Sequence, residues 1–134
     1  MILVRLYDLR IVRLRVGIDL VDIVEVQRSI SRHGERYLTR IYTPAELHEC
    51  AADAPRLAAH FAAKEATMKA LARGEEGFPW RAVALARGAD GSPALKLSGA
   101  AADLAEQRGV TELSVSLTHD RGLAGAVVLA RLDP

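Results

Sequence analysis

Residues 57–72, LAAHFAAKEATMKALA, predict a strong helix around which the rest of the chain is organised. Four large apolar side chains fall on one stripe at about 100° per residue: Leu57, Phe61, Met68 and Leu71. This stripe predicts a side that faces the core. Lys64 lies inside the stripe, although packing alone does not require a charge there.

Glu65 and Lys69 stand one turn apart on a neighbouring face, which they share with Ala58 and Ala62. Small side chains on this face leave room for another group to approach, either a ligand or a partner helix. The alternative is an ordinary amphipathic helix with a Glu–Lys ion pair and a lysine that reaches solvent. The segment alone leaves both interpretations open.

Length and composition describe one globular domain. The chain has 134 residues, half of them apolar and 26% charged, which excludes disorder. A net charge of +1 and an aromatic content of 4% argue against nucleic acid as a partner. A single cysteine indicates a reducing compartment, and the sequence contains neither a membrane span nor a signal peptide. We therefore expect a cytoplasmic protein with no membrane partner.

The first clear strand pattern lies at residues 12–19. Apolar side chains at Val12, Leu14, Val16 and Ile18 point one way, and the other face ends at Asp19. A carboxylate at a strand end, after a glycine that lets a ligand come near, is a plausible metal ligand, and a solvated aspartate is the alternative. We assign residues 1–15 to an N-terminal extension of uncertain order and residues 16–134 to a single domain.

Helices are expected between this strand and residue 57. Asp22 caps one that runs to Gly34, residues 35–42 form another, and Thr43-Pro44-Ala45-Glu46 is a capping box. Four arginines recur every fourth residue through the first two helices: Arg28, Arg32, Arg36 and Arg40. They form either a basic ridge that grips an acidic partner or a solvated face paired with nearby glutamates.

The second half predicts mainly antiparallel strands. Residues 80–87 and 94–97 form a hairpin, Ser98 caps a helix that ends at Gly109, and two further strands follow. In the first of these, Leu113, Val115, Leu117 and His119 share one face. Helices grouped early and strands grouped late predict an α+β fold in which an antiparallel sheet packs against helices.

The residues that can do chemistry favour a metal and a phosphate. Asp19 and Glu65 supply the two carboxylates that Mg²⁺ commonly uses if the strand end meets the helix. Lys69, one turn from Glu65, can then neutralise a phosphate held by the metal. The chemistry indicated is metal-assisted transfer of a phosphate-linked group.

Three motifs in this order resemble those of the holo-acyl-carrier-protein synthase family of 4'-phosphopantetheinyl transferases. They are Gly17-Ile18-Asp19-Leu20-Val21-Asp22-Ile23, then Phe61-Ala62-Ala63-Lys64-Glu65-Ala66 followed by Lys69-Ala70, and then Ser116-Leu117-Thr118-His119. The resemblance extends from about residue 16 to the end of the chain.

The resemblance implies a magnesium-dependent transfer of the 4'-phosphopantetheine arm from coenzyme A to a serine hydroxyl of an apo acyl carrier protein. Adenosine 3',5'-bisphosphate is released. It also implies a homotrimer with active sites at the subunit interfaces. The carrier is acidic, and the arginine ridge is the expected partner surface.

Carried over by motif, Asp19 and Glu65 are expected to bind Mg²⁺ and Lys69 to contact the pyrophosphate. The other expected coenzyme A contacts are Lys64, His60, Thr118 and His119. Glu65 is the expected base for the serine, with His119 as the alternative.

The sequence departs from the family pattern at three places. His60 replaces a common arginine, Ala72 stands where the family pattern has a glycine, and Glu25 replaces an arginine that in many relatives engages the carrier. These changes keep two rivals open. One is a non-catalytic carrier-binding module on the same scaffold, and the other is a different magnesium-dependent nucleotide-binding enzyme.

Overall fold

The computed structural model describes residues 12–71 and 77–134, which form a three-stranded antiparallel sheet, a separate hairpin and five α-helices. The elements follow in chain order: β1 (Arg13–Asp22), α1 (Ile23–His33), α2 (Glu35–Ile41), α3 (Pro44–Cys50), α4 (Ala54–Ala70), β2 (Val83–Arg87), β3 (Pro93–Leu97), α5 (Gly99–Gln107), β4 (Val110–Asp120) and β5 (Leu123–Leu132). The predicted α+β class is confirmed. No helix in the described ranges is long and apolar enough to cross a membrane.

Helix α4 begins three residues earlier than predicted. Asp53 caps it by accepting a hydrogen bond from the backbone N–H of Arg56 at 3.0 Å, and a proline follows in the first turn. Eleven of its seventeen residues are buried, including Ala58 and Ala62. The predicted core-facing stripe is confirmed for Leu57, Met68 and Leu71, which are at most 1% exposed. The predicted open alanine face is wrong, because Ala58 and Ala62 are buried inside the protein.

The sheet has the strand order β1-β5-β4, and α4 lies across one of its faces. Gly17 of β1 faces the helix so closely that a Cβ atom there would lie 1.8 Å from the carbonyl oxygen of Ala66. The sequence interpretation of this glycine was that it gives room to a ligand. The structure corrects this: the glycine gives room to the backbone of α4.

The alternation predicted for β1 is confirmed, with the apolar side turned to solvent. Leu14, Val16, Ile18 and Leu20 are 57–67% exposed. Val127 and Leu129 of β5 pair with Ile18 and Val16 and extend this surface, which we call the apolar sheet face. The face of β1 that carries Gly17 packs closely against α4, so the opposite face, which carries these apolar side chains, is exposed.

The extension assigned to residues 1–15 overlaps β1. Residues 13–15 are its first three residues and pair with residues 130–132 of β5. Residues 1–11 lie outside the described ranges, as does Ala72, so the structure says nothing of these parts of the sequence interpretation.

The early helices match their caps. Asp22 accepts from the N–H of Val24 at 3.0 Å, and Thr43 and Glu46 form the predicted capping box. Gly34, at φ +50°, separates α1 from α2. A continuous ridge of four arginines required an unbroken helix, and the helical spacing breaks at Gly34, between Arg32 and Arg36.

The first strand of the hairpin begins three residues later than expected. Residues Trp80–Ala82 form a 3-10 turn rather than the beginning of a strand, so the hairpin begins with β2 at Val83. Ser98 precedes α5 but makes no side-chain capping hydrogen bond. The alternation that places Leu117 and His119 on one face of β4 agrees with the sheet register.

Candidate active site

Asp19, Lys69 and Glu65 form the first group of predicted site residues, which we call the carboxylate cluster. The ammonium Nζ of Lys69 donates to Asp19 Oδ1 at 3.2 Å and to the carbonyl oxygen of Ile18 at 2.9 Å. The Asp19 side chain is 16% exposed. Glu65 lies one turn before Lys69 on α4 and is half-buried.

The geometry of the carboxylate cluster depends on Gly17. Its lack of a side chain lets β1 touch α4 at Ala66 and Ala70, the residues that flank Lys69 along the helix. Asp19 follows two residues later on the same face of β1, since side chains alternate along a strand. The predicted meeting of the strand end and the helix is therefore present for Asp19 and Lys69.

The donor set of the carboxylate cluster fits Mg²⁺. Within residues 12–71 and 77–134, no group of three or more histidine, cysteine, aspartate or glutamate side chains is arranged to hold a metal by itself. Mg²⁺ does not need such a group, because it usually keeps several waters and takes one or two carboxylates together with substrate phosphates. Asp19 and Glu65 offer hard oxygen ligands of this kind.

A second group of predicted residues lines two adjoining cavities of about 240 and 170 Å³, which we call together the histidine cavity. His60, Thr118 and His119 were predicted contacts of coenzyme A, and all three lie there. The sequence interpretation missed three charged residues that line the same space: Glu49, Arg56 and Arg87.

Charged groups organise the wall of the histidine cavity. Arg87 Nε donates to Glu49 Oε1 at 2.6 Å, and this hydrogen bond holds the pKa of the Glu49 carboxyl below its ordinary value. The contact joins α3 to β2 through two residues that are 38 positions apart in the chain. Their spacing offers no local pattern, so only the tertiary structure identifies the pair.

The two groups of site residues do not meet within one chain. His60 and Lys69 are nine residues apart on α4, which places them on opposite sides of the helix at about 100° per residue. Asp19 is in β1 and His119 is in β4, and β5 lies between these strands. The predicted site residues therefore lie in two groups, which we call the two halves of the candidate site, with the body of α4 between them.

Lys64 belongs to neither half. Its side chain is fully buried, and its ammonium donates to Glu46 Oε1 at 2.7 Å, to the carbonyl of Trp80 at 3.1 Å and to that of Val83 at 2.5 Å. An ammonium has three protons, and all of them are used. With its side chain 0% exposed, Lys64 offers no accessible atom for the predicted contact with coenzyme A.

Glu46 is the partner that the sequence interpretation missed. Its carboxylate accepts from His60 Nδ1 at 2.8 Å as well as from Lys64, and it closes the capping box through the N–H of Thr43 at 3.2 Å. Burial raises the pKa of Glu46, but the hydrogen bond from His60 and the charge of Lys64 outweigh burial and leave the pKa below its ordinary value. The capping box was the visible signal for this residue, and it gave no sign of a buried ion pair.

The arginines divide between two surfaces. Arg28 lies within 3.5 Å of Glu25 on α1, so it is partly neutralised. Arg36 and Arg40 line a groove of about 410 Å³ that also contains Tyr37 and Trp80. The groove joins basic and aromatic side chains on one surface.

Sequence comparison identifies the family of the chain. The sequence model of the 4'-phosphopantetheinyl transferase superfamily matches residues 15–128. The chain belongs to that superfamily. The matched range contains both halves of the candidate site, and it leaves out the first fourteen residues.

Curated members of the superfamily are similar over most of their length. A holo-[acyl-carrier-protein] synthase of Gloeobacter violaceus is 42% identical over 118 residues, which are 85% of this chain and 89% of the relative. One of Moorella thermoacetica is 44% identical over 119 residues, covering 87% and 92% of the two chains.

Solved structures have the same fold. The acyl-carrier-protein synthase of Chronobacterium ammoniagenes in complex with coenzyme A has a TM-score of 0.81 at 29% identity, covering 91% of this chain and 99% of that one. The Helicobacter pylori holo-[acyl-carrier-protein] synthase, also in complex with coenzyme A, has a TM-score of 0.77 at 28% identity, covering 86% and 98%.

Proposed function

We propose that the protein transfers the 4'-phosphopantetheine arm of coenzyme A to a serine hydroxyl of an apo acyl carrier protein and releases adenosine 3',5'-bisphosphate. The observation that carries the proposal is the carboxylate cluster, in which Lys69 donates to Asp19 one turn from Glu65. Similarity to holo-[acyl-carrier-protein] synthases over most of the chain supports the same reaction.

The residues of the carboxylate cluster have distinct roles in this reaction. Asp19 and Glu65 would hold Mg²⁺, which when bound supplies positive charge to the pyrophosphate oxygens. Lys69 adds a second positive charge on the same face. Glu65 accepts the proton of the attacking serine hydroxyl, with His119 as the alternative base. The serine oxygen bonds to the phosphorus that carries the pantetheine arm, and the bond from that phosphorus to the bridging oxygen breaks.

We propose further that the functional unit is a homotrimer in which each site is shared by two subunits. Two observations support this. The apolar sheet face is a contiguous exposed surface, of the kind that marks an association site. The carboxylate cluster and the histidine cavity lie on opposite sides of α4, so a ring of subunits can bring one half from each neighbour together.

We assign the histidine cavity to coenzyme A and the groove of Arg36 and Arg40 to the acidic carrier protein, with Arg28 and Arg32 as further contacts. Basic and aromatic side chains in the groove suit an acidic helix. We place the protein in the cytoplasm, in agreement with the buried unpaired thiol of Cys50.

The reaction is tested by incubating the protein with coenzyme A, Mg²⁺ and a panel of apo carrier proteins. One carrier should gain the mass of the arm, and adenosine 3',5'-bisphosphate should appear in equal amount. Glu65→Gln should remove most turnover, whereas Glu106→Gln, on the exposed side of α5, should not. Binding of coenzyme A without release of adenosine 3',5'-bisphosphate would favour a non-catalytic carrier-binding module instead.

The shared site is tested by mixing two inactive variants, Glu65→Gln and His119→Ala, after unfolding and refolding them together. Random trimers would contain intact pairs of halves at about one quarter of their interfaces, so the mixture should recover about one quarter of wild-type activity. Sites built within single subunits would give a mixture as inactive as its components.

A further inference from the structure

Glu46, Lys64 and His60 form a buried polar network beside the histidine cavity, which we call the Glu46 network. Glu46 and Lys64 are completely buried, and the His60 side chain is 11% exposed. The network joins α3 to α4, and Lys64 extends it to the carbonyls of Trp80 and Val83. None of the reaction steps proposed above uses Glu46.

The contacts define which edge of the His60 ring faces the cavity. Nδ1 forms a hydrogen bond with Glu46 Oε2 at 2.8 Å. Among the described residues, every side-chain nitrogen or oxygen that is fully buried has a hydrogen-bond partner. Nε2 of His60 has no partner among these residues, so Nε2 is not fully buried and is accessible to solvent. His60 lines both parts of the histidine cavity, and its Nδ1 is held by Glu46, so Nε2 is the ring nitrogen that remains available to a ligand there.

The proton on the ring is also defined. An ionised carboxylate only accepts hydrogen bonds, so Nδ1 of His60 must be the donor to Glu46. The other carboxylate oxygen, Oε1, already receives donors from Lys64 and from the N–H and hydroxyl of Thr43. Oε1 of Glu46 therefore accepts from Lys64 and Thr43, and Oε2 accepts from His60.

We propose that Glu46 is a positioning residue for the ligand cavity: it holds the His60 imidazole with Nδ1 protonated, so that Nε2 faces an anionic group of the ligand. A ring held this way can carry a second proton on Nε2 and donate it to that group. Naming the ligand as coenzyme A rests on the proposed function. The orientation and tautomer of His60 in the unliganded protein are independent of the proposed function.

A single substitution should reverse the tautomer. In Glu46→Gln the amide has one oxygen and one NH₂ group. Three donors point at the Oε1 position, so the amide oxygen must take that position and the NH₂ group must face His60. Nδ1 then has to accept, which moves the proton of the neutral ring to Nε2. The variant also excludes the doubly protonated ring, because two N–H groups would face each other.

Nitrogen-15 spectroscopy of the histidine side chains measures this directly. At about pH 8.5 the ordinary histidine ring is neutral. The protein has four histidines, and the signal that belongs to His60 is identified by its loss in His60→Ala. We expect the Nδ1–H tautomer in the wild-type protein, the Nε2–H tautomer in Glu46→Gln, and no change in Glu106→Gln. If Glu46→Gln does not fold, Glu46→Gln/Lys64→Met removes both buried charges, and the N–H of Thr43 still orients the amide.

Kinetics separate positioning from a merely structural role. Glu46→Gln should raise the KM for coenzyme A by about tenfold with kcat within about twofold. On the His60→Ala background the same substitution should change KM by less than about twofold, because its effect passes through the ring. An equal rise in KM on both backgrounds would overturn the positioning role.

The spectra overturn the proposal if the wild-type ring is the Nε2–H tautomer, or if neither variant changes it. A wild-type protein that modifies no carrier would refute the proposed function but would leave the spectroscopic test intact. The KM measurement would then be replaced by titration of coenzyme A in a calorimeter, with the same tenfold weakening expected.

Discussion

Gly17→Ala is the substitution whose effect follows most directly from the fold. The added Cβ would lie 1.8 Å from the carbonyl oxygen of Ala66, 2.8 Å from its carbonyl carbon and 2.9 Å from the nitrogen of Ala70. All three are backbone atoms of α4, so no side-chain rotation relieves the overlap. The helix and the strand must separate.

The size of that separation comes from the same distances. Ordinary contact with a Cβ begins near 3.4 Å, so α4 must move from β1 by about 1.5 Å near Ala66. Overpacking of this kind costs about 1–3 kcal/mol of unfolding free energy. A displacement near 1 Å at reacting groups can lower the rate by about 10²-fold. Since Asp19 is on the strand and Glu65 and Lys69 are on the helix, we expect a loss of turnover of about that size.

The assay combines urea unfolding with transfer of the arm to a carrier protein at saturating coenzyme A. Gly125→Ala in β5 is the matched control, because its Cβ would meet Leu20, Thr118 and Asp19 atoms only at 3.4–3.5 Å. We expect Gly17→Ala to lower kcat even at temperatures where it is fully folded. If Gly17→Ala retained kcat within twofold of Gly125→Ala, the claim that this contact positions the carboxylate cluster would be wrong.

Three variants test other parts of the structure. Ile18→Arg places a charge in the apolar sheet face and should convert the proposed trimer to monomers with loss of turnover, as measured by light scattering and the transfer assay. Because the pKa of Glu46 is lowered in the folded protein, ionised Glu46 stabilises the fold at pH values above the ordinary pKa of 4.5. This stabilisation is lost as the pH falls through the lowered pKa. The difference in unfolding free energy between wild type and Glu46→Gln should therefore disappear in acid unfolding. Arg36→Glu/Arg40→Glu should raise the KM for the carrier by about tenfold or more without changing that for coenzyme A, and high salt should reduce the difference.

Periodicity and caps predicted the elements of this fold well. The capping box at Thr43 and Glu46 and the stop at Gly34 are local chemistry between residues a few positions apart, and the structure contains both. The α+β class followed from the order of the elements. None of these inferences needed knowledge of which helix packs on which strand.

The environments of single charged residues were harder to predict. Lys64 and Lys69 lie on one helix, five residues apart, and look alike in the sequence. The first is enclosed by Glu46 and two backbone carbonyls, whereas the second is half exposed beside Asp19. The difference comes from partners that are 18 and 50 residues away, and helical spacing carries no information about such partners.

The register of β1 links assembly to the carboxylate cluster. Side chains alternate along a strand, so directing Asp19 toward α4 necessarily turns Ile18 and Leu20 to the opposite face. A slip of one residue would bury those two side chains and expose the carboxylate. Gly17 prevents the slip, because only a residue without a side chain fits beside Ala66. The same three-residue motif that places Asp19 beside Lys69 therefore also creates an exposed apolar surface, and association of subunits through that surface would cover it while supplying the second half of the site.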